Sequence, residues 1–109
     1  MAISNAALLT GGTTIFTCPG LGEEHAVTCM IFCNTDSVDR NLDVHVLKGS
    51  LSQTIANAQT QIIKSLTIPA GETFTFDTEK LVLESTDSIV ALPSGSSVIM
   101  ATVSSFRVS

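Results

Sequence analysis

Asp43 and His45 sit two residues apart in "NLDVHVLKG", a spacing that on a strand puts a carboxylate and an imidazole on one face. A carboxylate can orient such an imidazole as a general base, and Cys29 or Cys33 would then complete a nucleophilic set. The chain has no local cysteine-protease signature and no G-x-S-x-G elbow, so the reading that stands is an exposed polar strand face. Glu23-Glu24 and Asp36/Asp39 offer paired carboxylates for acid–base work. They fall in apparent loops, where acidic side chains serve as turn formers, and nothing there signals the burial that would move a pKa. No catalytic residue is assigned, and no enzyme activity is expected.

Metal and phosphate chemistry fare no better. Cys18, Cys29 and Cys33 with His25 and His45 contain zinc-ligand types, yet no C-x-x-C or H-x-x-x-H pair groups them. Four-residue spacing on one strand would put the α-carbons of Cys29 and Cys33 about 13 Å apart. A disulfide needs less than about 7 Å, so the thiols read as small buried hydrophobes. Gly11-Gly12 and Gly20-Leu21-Gly22 fit neither phosphate-binding pattern, and "GETFTFDTEK" lacks calcium-loop spacing. No metal and no cofactor are expected.

Composition points instead to a surface. Of 109 residues, 44% are apolar and only 14% charged, which excludes a disordered chain and leaves few charges to disperse a lone monomer. Self-association is the first expectation. The net charge is −5, and the cations Arg40, Lys48, Lys64, Lys80 and Arg107 are scattered, which argues against nucleic acid. No apolar run is long enough to cross a bilayer, and "MAISNAALLTGG" lacks the basic start of a secretory signal. The expectation is therefore no membrane partner and a cytoplasmic site of synthesis.

The elements that must carry any surface are strands. Short Thr-, Val-, Ile- and Phe-rich runs are broken by turn residues, with no sustained helical period. "AALLT" and "TTIFTC" flank Gly11-Gly12, although residues 1–12 also suit an N-terminal arm. "HAVTCMIFCN" reads as a central strand covered on both faces. "NLDVHVLKG" turns Leu42, Val44 and Val46 one way and Asp43 and His45 the other, and is expected to pair antiparallel with the strand before it. "QIIKSLTI" sets Ile63 and Ser65 against Ile62, Lys64 and Leu66. Ile68-Pro69-Ala70-Gly71 fits a type I turn, and "ETFTF" puts Phe74 and Phe76 on one face. "KLVLE", "IVAL" and "SVIMATVSSFRV" complete about eight strands. The expected fold is all-β, a single-domain antiparallel β-sandwich over residues 1–109, jelly-roll-like.

Three stretches carry a resemblance. "CNTDSVDRNLDVHV", "IIKSLTIPAGETFTF" and "LVLESTDSIVA" resemble small virion structural proteins of tailed bacteriophages, through Cys33–Asp36, Ala70–Thr73 and Leu81–Ile89. The resemblance implies a β-sandwich assembled on the virion in the host cytoplasm. It fits a capsid decoration or cement protein, of the kind that stands as trimers on the shell and binds the major capsid protein. A tail or head–tail component is the alternative, and a cellular sandwich binding a small ligand is a third reading.

A partner surface is expected at Leu8 and Leu9 of "AALLT", whose edge could add a strand to a capsid sheet. It is expected also at Leu51, Ile55 and Asn57 of "GSLSQTIANAQTQ", the longest candidate loop, with room for one helical turn around Ile55 to Ala58.

Overall fold

A computed structural model describes residues 2–18, 22–49, 61–76, 81–95 and 97–108. The described residues form nine strands: β1 (Ala2–Ala7), β2 (Thr13–Thr17), β3 (Glu24–Asn34), β4 (Arg40–Leu47), β5 (Gln61–Ile68), β6 (Thr73–Phe76), β7 (Leu81–Glu84), β8 (Ser88–Pro93) and β9 (Ile99–Arg107). They make two antiparallel sheets. One runs β1-β9-β3-β6, with β7 also on β3, and the other runs β2-β8-β4-β5.

The broken edge of the first sheet clarifies the topology. β6 pairs with β3 from Cys33 to Met30, and β7 continues along the same side of β3 from Val27 to Glu24. β6 and β7 are thus two halves of one edge strand. Counted that way, eight strands lie four over four in the order of a jelly roll. The expected architecture holds.

Alternation builds the core. Met30 and Phe32 of β3, Leu42 and Val44 of β4, Ile89 and Ala91 of β8, and Ile99, Ala101 and Val103 of β9 point between the sheets and are almost wholly buried. Phe74 and Phe76 share the inward side of β6, as their spacing requires.

Several expectations need correction. β1 is a strand rather than an arm, paired residue for residue with β9 from Ala2↔Ser105 to Ala7↔Met100. β4 does not pair with β3. The short turn between them crosses from one sheet to the other, and β4 lies between β8 and β5. Nor is β3 covered on both faces, for Ile31 is 36% exposed on its outer side. Leu66 joins Ile63 against the core, because β5 bulges. The register steps from Leu42↔Leu66 to Val44↔Ile63, and Ser65 takes up the extra residue at φ 52°. The turn after β5 is one residue later than expected. Glu72 N–H donates to Pro69 O, and Gly71 at φ 73° occupies the third position, the geometry of a type II turn.

Candidate interaction face

The outer side of the β1-β9-β3-β6 sheet is built by strand alternation. With Met30, Phe32 and Asn34 turned inward, Cys29, Ile31 and Cys33 turn out. Register sets Ser104, Thr102 and Met100 of β9 beside them, and Thr75 and Thr73 of β6 on the other flank. Ile3, Asn5 and Ala7 of β1 extend the same side beyond β9.

A bulge at Thr28 resets the alternation toward one end of β3. Its hydroxyl donates to Ser104 O at 3.2 Å, and Val27 turns inward opposite Ser105. Ala26 consequently faces out, in register between Phe106 and Val82. Ala26 is only 4% exposed, while Val82 is 59% exposed and Phe106 38%.

Among the described residues, charge reaches this side only at that end, where Glu24 pairs with Glu84. The middle is a field of Thr, Ser, Cys, Ile and Met, whose burial against a partner would strand no ion away from water.

The residues singled out in the sequence scatter. Leu8 is fully buried in the core, so it cannot serve as a docking side chain. The cause is alternation, which places Leu8 on the same inward side as Ala6. Leu9, next in line, is 52% exposed. Leu51, Ile55 and Asn57, with the helical turn expected around Ile55, lie outside the described residues.

Asp43 and His45 do share a face, opposite Leu92 and Val90 of β8. That face is the outer side of the second sheet. Cys29 and Cys33 lie on the outer side of the first, so the sandwich separates thiols from imidazole and the three do not assemble. His45 is buried rather than wet. Asp43 accepts a hydrogen bond from the Ser65 amide and anchors the β5 bulge. Cys18 sits in the core, its Sγ donating to Leu83 O at 3.3 Å, and burial pushes its thiol pKa up. His25 lies against Glu23 Oε1 at 3.1 Å, which holds the Glu23 carboxyl below its ordinary range. Among the described residues, no three His, Cys, Asp or Glu side chains converge as a metal set.

Acidic side chains at the sandwich ends have architectural work. Asp36 Oδ2 accepts from Arg40 Nε at 2.8 Å and Nη2 at 2.6 Å, and these bonds hold its carboxyl below the usual range. Asp39 accepts from the Ala70 amide at 3.0 Å. Asp87, 3% exposed, accepts from the amides of Gly49 and Glu84 and from Lys48 Nζ. These contacts raise the Lys48 pKa, Asp87 contributing most.

Asn34 opens the turn-forming stretch "NTDSVDR" and is fully buried. Its Nδ2 donates to Val38 O and Ile68 O, and its Oδ1 accepts from the Asp36 amide. The Asn-x-Asp spacing is a visible Asx-turn signal, whereas the Ile68 contact lies 34 residues away.

Two clefts are walled by described residues. One of about 230 Å³ is walled by Glu23, Glu24, Lys48, Glu84 and Asp87. The other, of about 320 Å³, is walled by Asn41, Asp43, Ser65, Leu92 and Ser94. Their polar walls are largely engaged with each other: Lys48 with Glu84 and Asp87, Asn41 with Ser94, Asp43 with Ser65. Binding pockets for small molecules are instead mostly apolar with a few convergent polar groups.

No family model matches this chain, and neither a curated protein nor a solved structure matches it.

Proposed function

We propose that this chain is a structural protein of a tailed-bacteriophage particle, a decoration or cement protein that binds the outer shell and stabilises it. The observation that carries the reading is the broad outer side of the β1-β9-β3-β6 sheet, which, among the described residues, charge reaches only at the end where Glu24 pairs with Glu84. Such a side favours a large, shape-matched partner over a small ligand, since it is open and offers hydrogen-bonding hydroxyls beside exposed Ile31 and Ile3. The jelly roll supports the reading by analogy, for the fold recurs in capsid proteins, though it also recurs in lectins and enzymes.

Cement acts by tying neighbouring capsomers together. Each copy needs only a modest contact with each capsomer, because the first contact raises the effective concentration for the second. The partner is the major capsid protein.

Immunogold labelling of particles with an antibody to this chain, with counting of copies per virion, tests the proposal. Labelling over the whole head, with copies on the order of hundreds as multivalent shell coverage requires, supports it. Label confined to the tail or neck, at a dozen or so copies, would move the protein to the tail.

A further inference from the structure

We propose that β1 is a self-pairing edge, through which two copies of this chain join their first sheets into one continuous sheet about a two-fold axis at Asn5. The proposal goes beyond the capsid reading and does not depend on it.

Jelly-roll sandwiches have four sheet edges, and three of them here carry a device that blunts pairing with another chain. β5 has an exposed Lys64 and the Ser65 bulge. The β6–β7 edge is split into two pieces of four residues each. β2 is interrupted by a register shift between Thr14 and Phe16. β1 has none of these. Its six residues, AISNAA, include no charge and no proline, and they run against β9 without a shift. Among the described residues, no strand pairs with its far side.

Backbone directions on β1 follow from one bond. Leu8 N–H donates to Ile99 O of β9 at 3.0 Å. Backbone polar groups alternate sides along an antiparallel strand, so Ala6 and Ser4 also turn toward β9. Ile3, Asn5 and Ala7 therefore present N–H and C=O to the open edge. Their side chains are all exposed, and all lie on the uncharged outer side.

This pattern is complementary to itself. An axis at Asn5, perpendicular to the sheet, places Asn5 opposite Asn5 of the second copy and Ile3 opposite its Ala7. Outer side chains stay on the outer side, as continuity of the sheet requires. Each facing pair exchanges both of its N–H···O bonds, so all three open residues of each copy are satisfied. The two Asn5 amides meet across the axis, and Ile3, 68% exposed in the single chain, covers Ala7 of the second copy. An unrelated strand would need matching length, register and lack of charge. A second copy brings all three.

The test is the mass of the full chain by sedimentation and light scattering over a concentration series, for wild type and three variants. Wild type is expected at twice the 11.4 kDa of one chain. Asn5→Lys sets like charges face to face at the axis. Asn5→Pro removes the central donor, whose N–H points away from β9, so the single chain keeps its pairing. Each should weaken self-association about tenfold or more. Ile62→Lys, on the β5 edge, should leave the doubled mass unchanged. A wild type that stays single at every concentration, a three-chain mass, or a double mass that survives both Asn5 variants would overturn the proposal. Far-UV circular dichroism of each variant identifies any loss of mass that is only unfolding.

Discussion

Asn34 Nδ2 donates to Ile68 O at 2.9 Å, and both residues are buried. Asn34 ends β3 in one sheet and Ile68 ends β5 in the other, so this bond ties the two layers together at one end of the sandwich. The same amide reaches Val38 O and its carbonyl accepts from Asp36 N–H, so the side chain also shapes the turn that carries the chain across. Asn34→Leu would strand those backbone groups, at a cost of about 2–4 kcal/mol. Asn34→Asp should cost at least as much at neutral pH, because a carboxylate would face two carbonyls. Urea unfolding followed by circular dichroism reads both, as a lower midpoint.

Gly49 allows no side chain. A Cβ there would fall on Thr86, 2.7 Å from its carbonyl carbon, and Thr86 itself is held at φ 71°. The Gly49 amide also donates to buried Asp87. Gly49→Ala should destabilise by about 1–3 kcal/mol. Gly11→Ala, with open space around the added methyl, should stay within about 0.5 kcal/mol of wild type. Thermal unfolding of the pair distinguishes close packing from a general effect of replacing glycine.

Acid should weaken the fold through identifiable pairs. Arg40 lowers the Asp36 pKa, with further help from the Ser37 amide, and His25 lowers that of Glu23. A carboxyl with a depressed folded pKa binds fewer protons folded than unfolded. Its contribution is full above the ordinary carboxylate range and is lost as pH falls through the folded value. Asp36→Asn should lower stability at neutral pH and flatten the decline between about pH 5 and pH 3. Urea midpoints across that range measure both effects.

The three thiols should differ in reactivity. Cys18 is buried, hydrogen-bonded and raised in pKa, whereas Cys29 and Cys33 lie half-buried on the outer side of β3. With Ellman's reagent in native buffer, Cys29 and Cys33 should react first. Cys18 should lag by about a hundredfold or more, at the rate of opening of the fold. Single Cys→Ser variants assign each phase.

Strands, the turn-rich rhythm and the two-layer fold were readable because period-two patterns report directly on a buried side. Most of the errors lie in geometry that alternation does not encode. The apolar run of β3 suggested cover on both faces, but Cys29, Ile31 and Cys33 are the uncharged outer side of the sheet. One extra residue at Ser65 transferred Leu66 to the core side, and only its partner strand reveals that. β3 and β4 adjoin in the chain but belong to different sheets, so proximity in sequence suggested a hairpin that does not exist. Of the expected interface, Leu8 followed the parity of its strand into the core while Leu9 stayed outside. The Asx turn at Asn34 is local and legible, but its bond to Ile68 and those of Asp87 to Lys48 and Gly49 join residues more than thirty positions apart, and no local pattern marks them.

Binding of the purified chain to bacteriophage capsids, with Thr102→Lys as the comparison, tests the proposed shell docking most directly. Thr102 lies at the middle of the uncharged side, in register between Asn5 and Ile31. Wild type should co-sediment with expanded or mature shells to saturation, and Thr102→Lys, folded and equally stable, should bind about tenfold or more weakly because docking would bury its ammonium. Failure of wild type to bind either form of shell, or undiminished binding by Thr102→Lys, would contradict the account.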